Sequence, residues 1–418
     1  MTDYHELLGE EGPLARHVPG FLPRTEQQAM ATAVAGAIEA RQKLIVEAGT
    51  GTGKTFAYLM PVLHSGQRVI LSTGTRHLQD QLFNHDLPRV RDALEAPVST
   101  ALLKGRSNYL CRHRLELAAT DAGRLPAQQQ HDLECIRAWS VRTTSGDIAG
   151  LGEVHEHSPL WPRVTSTQDN CLGQECDYFR DCFVVKARRA AMDADVVVIN
   201  HHLLFADMAL KEEGFGELLP GVDMVIIDEA HQLPEIASLF FGTSVSSRQL
   251  LDLVRDVQVE HSREAGDMSQ LPDAALRLDA VVRRLRLALG ERERRAAWES
   301  VERDRRVAAA LADLAELLGQ LVDWLEVAAG RGKGLESCWQ RGRLLQERLT
   351  AFREDATSGS IQWFETQRRA FRLNQTPLDV APAFSRCLEL LPDTWVFTSA
   401  TLAVGSGFGH YAARLGLE

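Results

Sequence analysis

Residues 47–55, EAGTGTGKT, constrain this chain more than any other stretch, because Gly and Thr ending in Lys-Thr between a strand pattern and a helix pattern have few uses. Leu44, Ile45 and Val46 before it form a short apolar, β-branched run, and Phe56, Ala57, Leu59 and Met60 after it begin an apolar helix face. Gly49, Gly51 and Gly53 let the backbone curl until its N–H groups converge, and the helix N-terminus behind them adds partial positive charge. That cradle suits a triphosphate. Ala48, Gly49, Thr50, Gly51, Thr52, Gly53, Lys54 and Thr55 are the expected ATP-binding residues, with Lys54 reaching the β and γ phosphates and the Thr55 hydroxyl on Mg2+. The P-loop pattern asks for Gly where this chain has Ala48, a small departure. A Gly-rich turn without nucleotide is the plainer alternative, and the Lys-Thr offset speaks against it.

The rest of the sequence supplies a sheet for such a loop. Apolar runs around residues 68–73, 98–105, 196–200, 224–231 and 395–401 alternate with helical patterns, which predicts an α/β fold with a parallel sheet covered on both faces. In these sheets function gathers at the carboxyl ends of the strands. Asp228-Glu229-Ala230-His231 stands at such an end, after Val225, Ile226 and Ile227. Asp228 is placed to hold the Mg2+ and Glu229 to orient and deprotonate the attacking water, with His231 in the same catalytic group. A solvated acidic turn is the alternative. Ser399, Ala400 and Thr401 end the last strand, where hydroxyls could pass the phosphate state to a bound polymer, although such residues more often make local bonds only. Gln27 opens a helix whose Met30, Val34, Ala37 and Ile38 share one face; its amide suits an adenine edge, and an exposed helix Gln is the commoner meaning.

At 418 residues two or three domains are expected, and 44% hydrophobic with 25% charged residues is ordinary for a folded protein. The amino-terminal stretch has no export signal and no apolar run spans a bilayer, so a cytoplasmic protein without a membrane partner is expected. Seven cysteines then argue for metal binding or burial rather than disulfides. Cys171, Cys176 and Cys182 follow C-x4-C-x5-C, and Cys111 is available as a fourth ligand. Tetrahedral zinc or an iron-sulfur cluster would use the same four thiolates. Cys135, Cys338 and Cys387 read as core.

A second insertion, from about residue 247 to 356, is expected to be helical: Leu278, Val281, Val282, Leu285 and Leu289 hold helical spacing, as do Leu311, Leu314, Leu318, Leu321 and Leu325. The formal charge of −11 requires any nucleic-acid surface to be local. Residues 277–306 hold ten Arg against six acids, and Arg283, Arg284, Arg286, Arg292, Arg294, Arg295, Arg303, Arg305 and Arg306 could track phosphates or form a solvated face with local pairs. Trp363, Phe364 and Phe371 could stack bases, with core packing the better expectation.

The order PRTEQQAM, EAGTGTGKT, LSTGTRHLQDQL, KGRSNYLC with C-x4-C-x5-C, DEAH and TSATL resembles the iron-sulfur superfamily 2 DNA helicases of the DinG/YoaA group, related to XPD. VINHHLLF and TPLDVAPAF are similar to further segments of that family. The resemblance implies a RecA-like first motor domain with an inserted 4Fe-4S domain, held by Cys111, Cys171, Cys176 and Cys182, and an inserted helical Arch. The matching division is residues 1–105, 190–246 and 376–418 for the motor domain, 106–189 for the cluster domain and 247–375 for the Arch. It also implies 5'-to-3' movement on single-stranded or forked DNA in repair or replication restart, as a monomer, with a replisome accessory subunit as a further partner. In this family the arginine finger lies in a second RecA-like domain beyond motif III, so the 418-residue chain is expected to bind nucleotide and turn it over poorly on its own. Two other readings are an ATP- and DNA-binding module without turnover and a zinc-containing DEAH RNA helicase.

Overall fold

Runs of apolar residues are buried throughout only where a strand is covered on both faces, which holds for the four central strands of a sheet of six. In the computed structural model, which describes residues 3–120, 122–212, 218–354, 359–405 and 407–417, the six are β1 (Lys43–Glu47), β2 (Val69–Thr73), β3 (Thr100–Leu102), β4 (Val196–Asn200), β5 (Met224–Asp228) and β10 (Thr394–Ser399). They form one parallel sheet in the order β1-β10-β5-β2-β4-β3. This sheet belongs to a compact unit of residues 1–105, 184–240 and 379–418.

The position of β10 matters most. It comes last in sequence and inserts between β1 and β5, pairing Ser399 with Glu47 and Thr398 with Asp228. The loops after β1, β5 and β10 therefore leave the sheet side by side, although their sequences are more than 150 residues apart. Helix Thr25–Ala40 packs Met30, Ala31, Val34 and Ile38 into the same core as Ala57 to Leu63 of helix Lys54–Ser65.

A second compact unit comprises residues 106–183 and 241–378, so the two insertions share one body. Helix Phe183–Asp193 lies in the sheet unit from Val184 onward, with Val184 and Ala191 buried. Helices Ser247–Glu264, Gln270–Ala288, Arg305–Ala329 and Lys333–Arg353 bury Leu278, Val281, Val282, Leu285, Leu289, Leu314, Leu318, Leu321 and Leu325 in one core.

The helical expectation needs a correction, because this unit also holds an antiparallel sheet. β6 (Thr243–Ser246), β7 (Arg294–Ala297), β8 (Ser360–Thr366) and β9 (Phe371–Pro377) pair in the order β6-β9-β8-β7. Their alternation is short and helix-period stripes surround it. Phe371 and Leu373 point one way and are buried, Arg372 between them is exposed, and Phe364 sits opposite Leu373. Trp363, Phe364 and Phe371 are thus core residues.

Six arginines of the row have partners within this unit. Arg283 pairs with Asp279 at 2.6 Å, Arg284 with Asp313, and Arg306 with Asp304 at 3.1 Å. Arg286 is buried and donates to the Gln367 carbonyl at 2.7 Å, while Arg294 and Arg295 lie over Phe364 and Trp363 at 5.0 and 3.9 Å. Cys338 and Cys387 are buried, but Cys135 is only half-buried. The inward stripe of helix Ala127–Ser140 is Leu133, Ile136 and Ser140, and Cys135 flanks it with its sulfur 3.7 Å from His131.

Candidate functional site

β1 stops at Glu47, where Ala48 leads into a run of Gly and Thr, and the loop re-enters regular structure at Lys54, the first residue of helix Lys54–Ser65. Gly53 makes that entry with φ +80°, and a Cβ there would collide with the Gln27 amide nitrogen. Gly49, Thr50 and Gly51 are exposed, whereas Ala48, Thr52, Gly53, Lys54 and Thr55 are half-buried. The loop closes on itself through the Thr52 hydroxyl, which donates to the Gly49 carbonyl at 2.8 Å. Gln27 is buried with its N–H on the Gly53 carbonyl at 3.0 Å, and its amide oxygen has no partner among the described residues.

Across from the loop, Lys54 Nζ lies 3.6 Å from Glu229 Oε1. Glu229 has φ +56°, a left-handed conformation that costs a non-glycine residue about 1 to 3 kcal/mol and persists only where the surroundings fix it. Its surroundings are dense. His231 Nδ1 lies 3.3 Å from Glu229 Oε2 and 2.8 Å from Ser399 Oγ, and the Tyr411 hydroxyl donates to the Ala230 carbonyl at 2.8 Å. Ser399 Oγ is 3.5 Å from Glu229 Oε2, while Thr401 is exposed with its backbone N–H turned back to Ser399 Oγ. Ala400 lies between them.

Asp228 accepts from the Glu229 backbone N–H at 3.0 Å and from the buried Tyr58 hydroxyl at 3.5 Å. Burial, reinforced by the Glu229 charge, pushes its carboxyl up to about 6 against the opposing pull of Lys54. Nothing in the local sequence announces three further residues here. Glu47 accepts the backbone N–H groups of Leu402 and Ala403, the latter at 2.7 Å, which tie the start of the loop to the segment after β10 and lower its carboxyl pKa. His201 is fully buried with Nδ1 2.7 Å from Ser72 Oγ, and burial drives it down to about 3, so the ring is neutral. Tyr411 is the third.

The second unit carries the cysteines. Cys111 precedes helix Arg112–Thr120, and its backbone N–H donates to the Val164 carbonyl at 2.8 Å. Cys176 and Cys182 each end a single turn of 3-10 helix, Gly173–Glu175 and Phe179–Asp181. All four candidate ligands are free and half-buried. Burial raises the Cys111 thiol to about 11, with Cys171 and Cys176 adding to the shift, and burial raises Cys176 with Cys171 and Cys182 adding. Arg106 Nη1 donates to Cys171 Sγ at 3.2 Å. In number, softness and compensating charge this donor set fits a metal or cluster. Among the described residues, no group of three or more His, Cys, Asp or Glu is arranged to hold a metal ion.

Residues 25–120 match the DEAD/DEAH box helicase family. The chain is 48% identical over its full length to the ATP-dependent DNA helicase YoaA of Escherichia coli, covering 65% of that protein, and 44% identical to YoaA of Haemophilus influenzae, covering 64% of it. The ATP-dependent helicase DinG of Mycobacterium tuberculosis is 36% identical over 254 residues, 55% of this chain and 37% of that protein. A solved XPD helicase covers 94% of this chain and 61% of its own at 15% identity, with a TM-score of 0.47. The chain thus spans about two thirds of the length of the YoaA relatives it matches. No described helix is long and apolar enough to cross a membrane. By its motifs and its identity along its whole length, the chain is similar to the YoaA and DinG helicases.

Proposed function

We propose that this chain is the ATP-handling portion of an ATP-dependent DNA helicase that moves on single-stranded DNA. The observation that carries the reading is the convergence of Lys54, Glu229 and Ser399 from the carboxyl ends of three neighbouring strands and the loops that follow them, with Lys54 and Glu229 in contact at 3.6 Å. A lysine that meets a carboxylate across an open, Gly-rich loop is held where a γ-phosphate would lie between them. ATP would draw Lys54 onto the β and γ phosphates and release Glu229 to orient and deprotonate water. Thr55 and Asp228 would hold the Mg2+, which would offset the charge of the phosphates. His231 and Ser399 would report the freed position of Glu229 to β10, and the unpartnered Gln27 oxygen would accept from an adenine amino group.

In the same reading Cys111, Cys171, Cys176 and Cys182 hold a 4Fe-4S cluster, whose place here is structural. An accessory protein at the replication fork draws on the family resemblance alone. The test is ATP hydrolysis by the anaerobically purified chain with and without single-stranded DNA, together with nucleotide affinity. DNA-stimulated turnover is expected to disappear in Lys54→Ala, and retained turnover in that variant would overturn the site assignment.

Gln27→Ala gives a sharper check. An adenine edge read by one buried amide is worth about 1 to 3 kcal/mol. ATP affinity is expected to fall by roughly tenfold while GTP affinity stays within about twofold, measured by competition with a fluorescent nucleotide. Equal losses for both nucleotides would mean that Gln27 only props the Gly53 carbonyl.

A further inference from the structure

Cys111 leads directly into a helix that is itself held from the helical insertion. The Leu115 backbone N–H of helix Arg112–Thr120 donates to the Cys111 carbonyl at 2.9 Å, and on the same turn the Arg114 guanidinium grips Asp256 with both prongs, Nη2 to Oδ1 at 2.9 Å and Nη1 to Oδ2 at 3.3 Å. Asp256 stands on helix Ser247–Glu264 and also accepts from Arg341 Nη1 at 2.6 Å, on helix Lys333–Arg353. Arg114, Asp256 and Arg341 are all buried, at 6%, 8% and 9% exposure. Burial alone would raise the Asp256 carboxyl, but the two guanidiniums override it and hold it ionised.

We infer that the Arg114–Asp256 contact is the positioning device that aims the Cys111 sulfur at the other three cysteines. It makes the helical insertion set how tightly the cysteine segment keeps its metal. This rests on the reading that Cys111, Cys171, Cys176 and Cys182 share one metal or cluster. A lighter tie of the same sense joins Lys333 to the loop between Cys171 and Cys176, with Nζ 3.1 Å from the Glu175 carbonyl and 3.2 Å from its carboxylate. The opposing account is that the buried triad is cohesion for the helical bundle and indifferent to the sulfurs. Buried ion pairs are weak evidence of stability in general, so the two accounts need separate readouts.

Arg114→Met and Arg341→Met form a matched pair, since each removes one guanidinium and leaves Asp256 in a neutral buried pair with the other. Only the first severs the link to Cys111. The full chain and both variants are purified without oxygen, and iron, acid-labile sulfide and zinc per chain are measured. Loss of the visible absorbance, or of zinc to an indicator, is then timed in excess chelator, with thermal unfolding recorded in parallel. Arg114→Met is expected to release metal roughly tenfold or more faster than the unmodified chain, and Arg341→Met to stay within about twofold of it. Arg114→Lys, which keeps charge and backbone but not the two-pronged grip, should fall between them, and it replaces Arg114→Met if that variant does not fold. Equal acceleration by the two methionine variants, or none by either, would overturn the inference and leave the triad as bundle cohesion. An unmodified chain without bound metal would instead overturn the cysteine reading, and the inference with it.

Discussion

Glu229→Gln is expected to cut ATP turnover by roughly 10^2 to 10^4 while leaving nucleotide binding intact, the signature of a lost general base rather than a lost binding group. The geometry supports the second half of that statement as firmly as the first. In the nucleotide-free chain Lys54 is neutralised by Glu229 at 3.6 Å, and a triphosphate must compete with this partner. Glutamine keeps the hydrogen-bonding shape toward His231 and Ser399 but removes the competing charge. ATP should therefore bind no more weakly, and up to about fivefold more tightly, given the roughly 1 kcal/mol scale of a partly solvated ion pair. Fluorescent-nucleotide titration gives the affinity, and single-turnover phosphate release gives the rate. A variant that hydrolyses ATP within tenfold of the unmodified chain would move the base elsewhere. One that loses affinity would mean that Glu229 holds the loop rather than the water.

The sequence made half of this site legible and hid the other half, for a physical reason. Strands β4 and β5 were readable because a strand buried on both faces is apolar at every position, a signal contained within five residues. The phosphate loop and the acidic strand end were readable because each is a local arrangement of residue types that few other uses require. What holds those pieces against each other is not local. Glu47 with Leu402 and Ala403, His201 with Ser72, and Tyr411 with Ala230 join residues more than 100 positions apart, and none of these side chains differs in kind from a solvated or core residue. The same limit applied to the second unit. A local excess of Arg was visible between residues 277 and 306, but its partners Asp313, Gln367, Phe364 and Trp363 are supplied by other elements. The small antiparallel sheet was missed because β7 and β8 are separated by two long helices, and only their pairing reveals them.

Asp228→Asn is expected to stabilise the protein at neutral pH while removing its Mg2+-dependent activity. Burial and the Glu229 charge raise the Asp228 carboxyl from 3.8 to about 6, so the folded chain binds this proton more tightly than the unfolded chain does. The favourable contribution of that proton is complete below about pH 4 and is lost as pH rises through about 6. At pH 7 the ionised carboxylate is a net cost, on the order of 3 kcal/mol before any metal is bound. Asparagine accepts the same backbone N–H and carries no charge. Without nucleotide the variant should melt about 2 to 4 °C higher at pH 7, and the gain should vanish near pH 4, where both side chains are neutral. The same titration predicts that the unmodified chain binds Mg2+-nucleotide more weakly below pH 6, because the proton competes with the metal for the carboxylate, whereas Asp228→Asn shows no such dependence. Calorimetric melting at the two pH values and nucleotide titration with and without Mg2+ decide the matter. A variant no more stable than its parent at pH 7 would show that Lys54 already satisfies Asp228 in the empty site. The carboxylate would then not be held at an energetic cost that metal binding relieves.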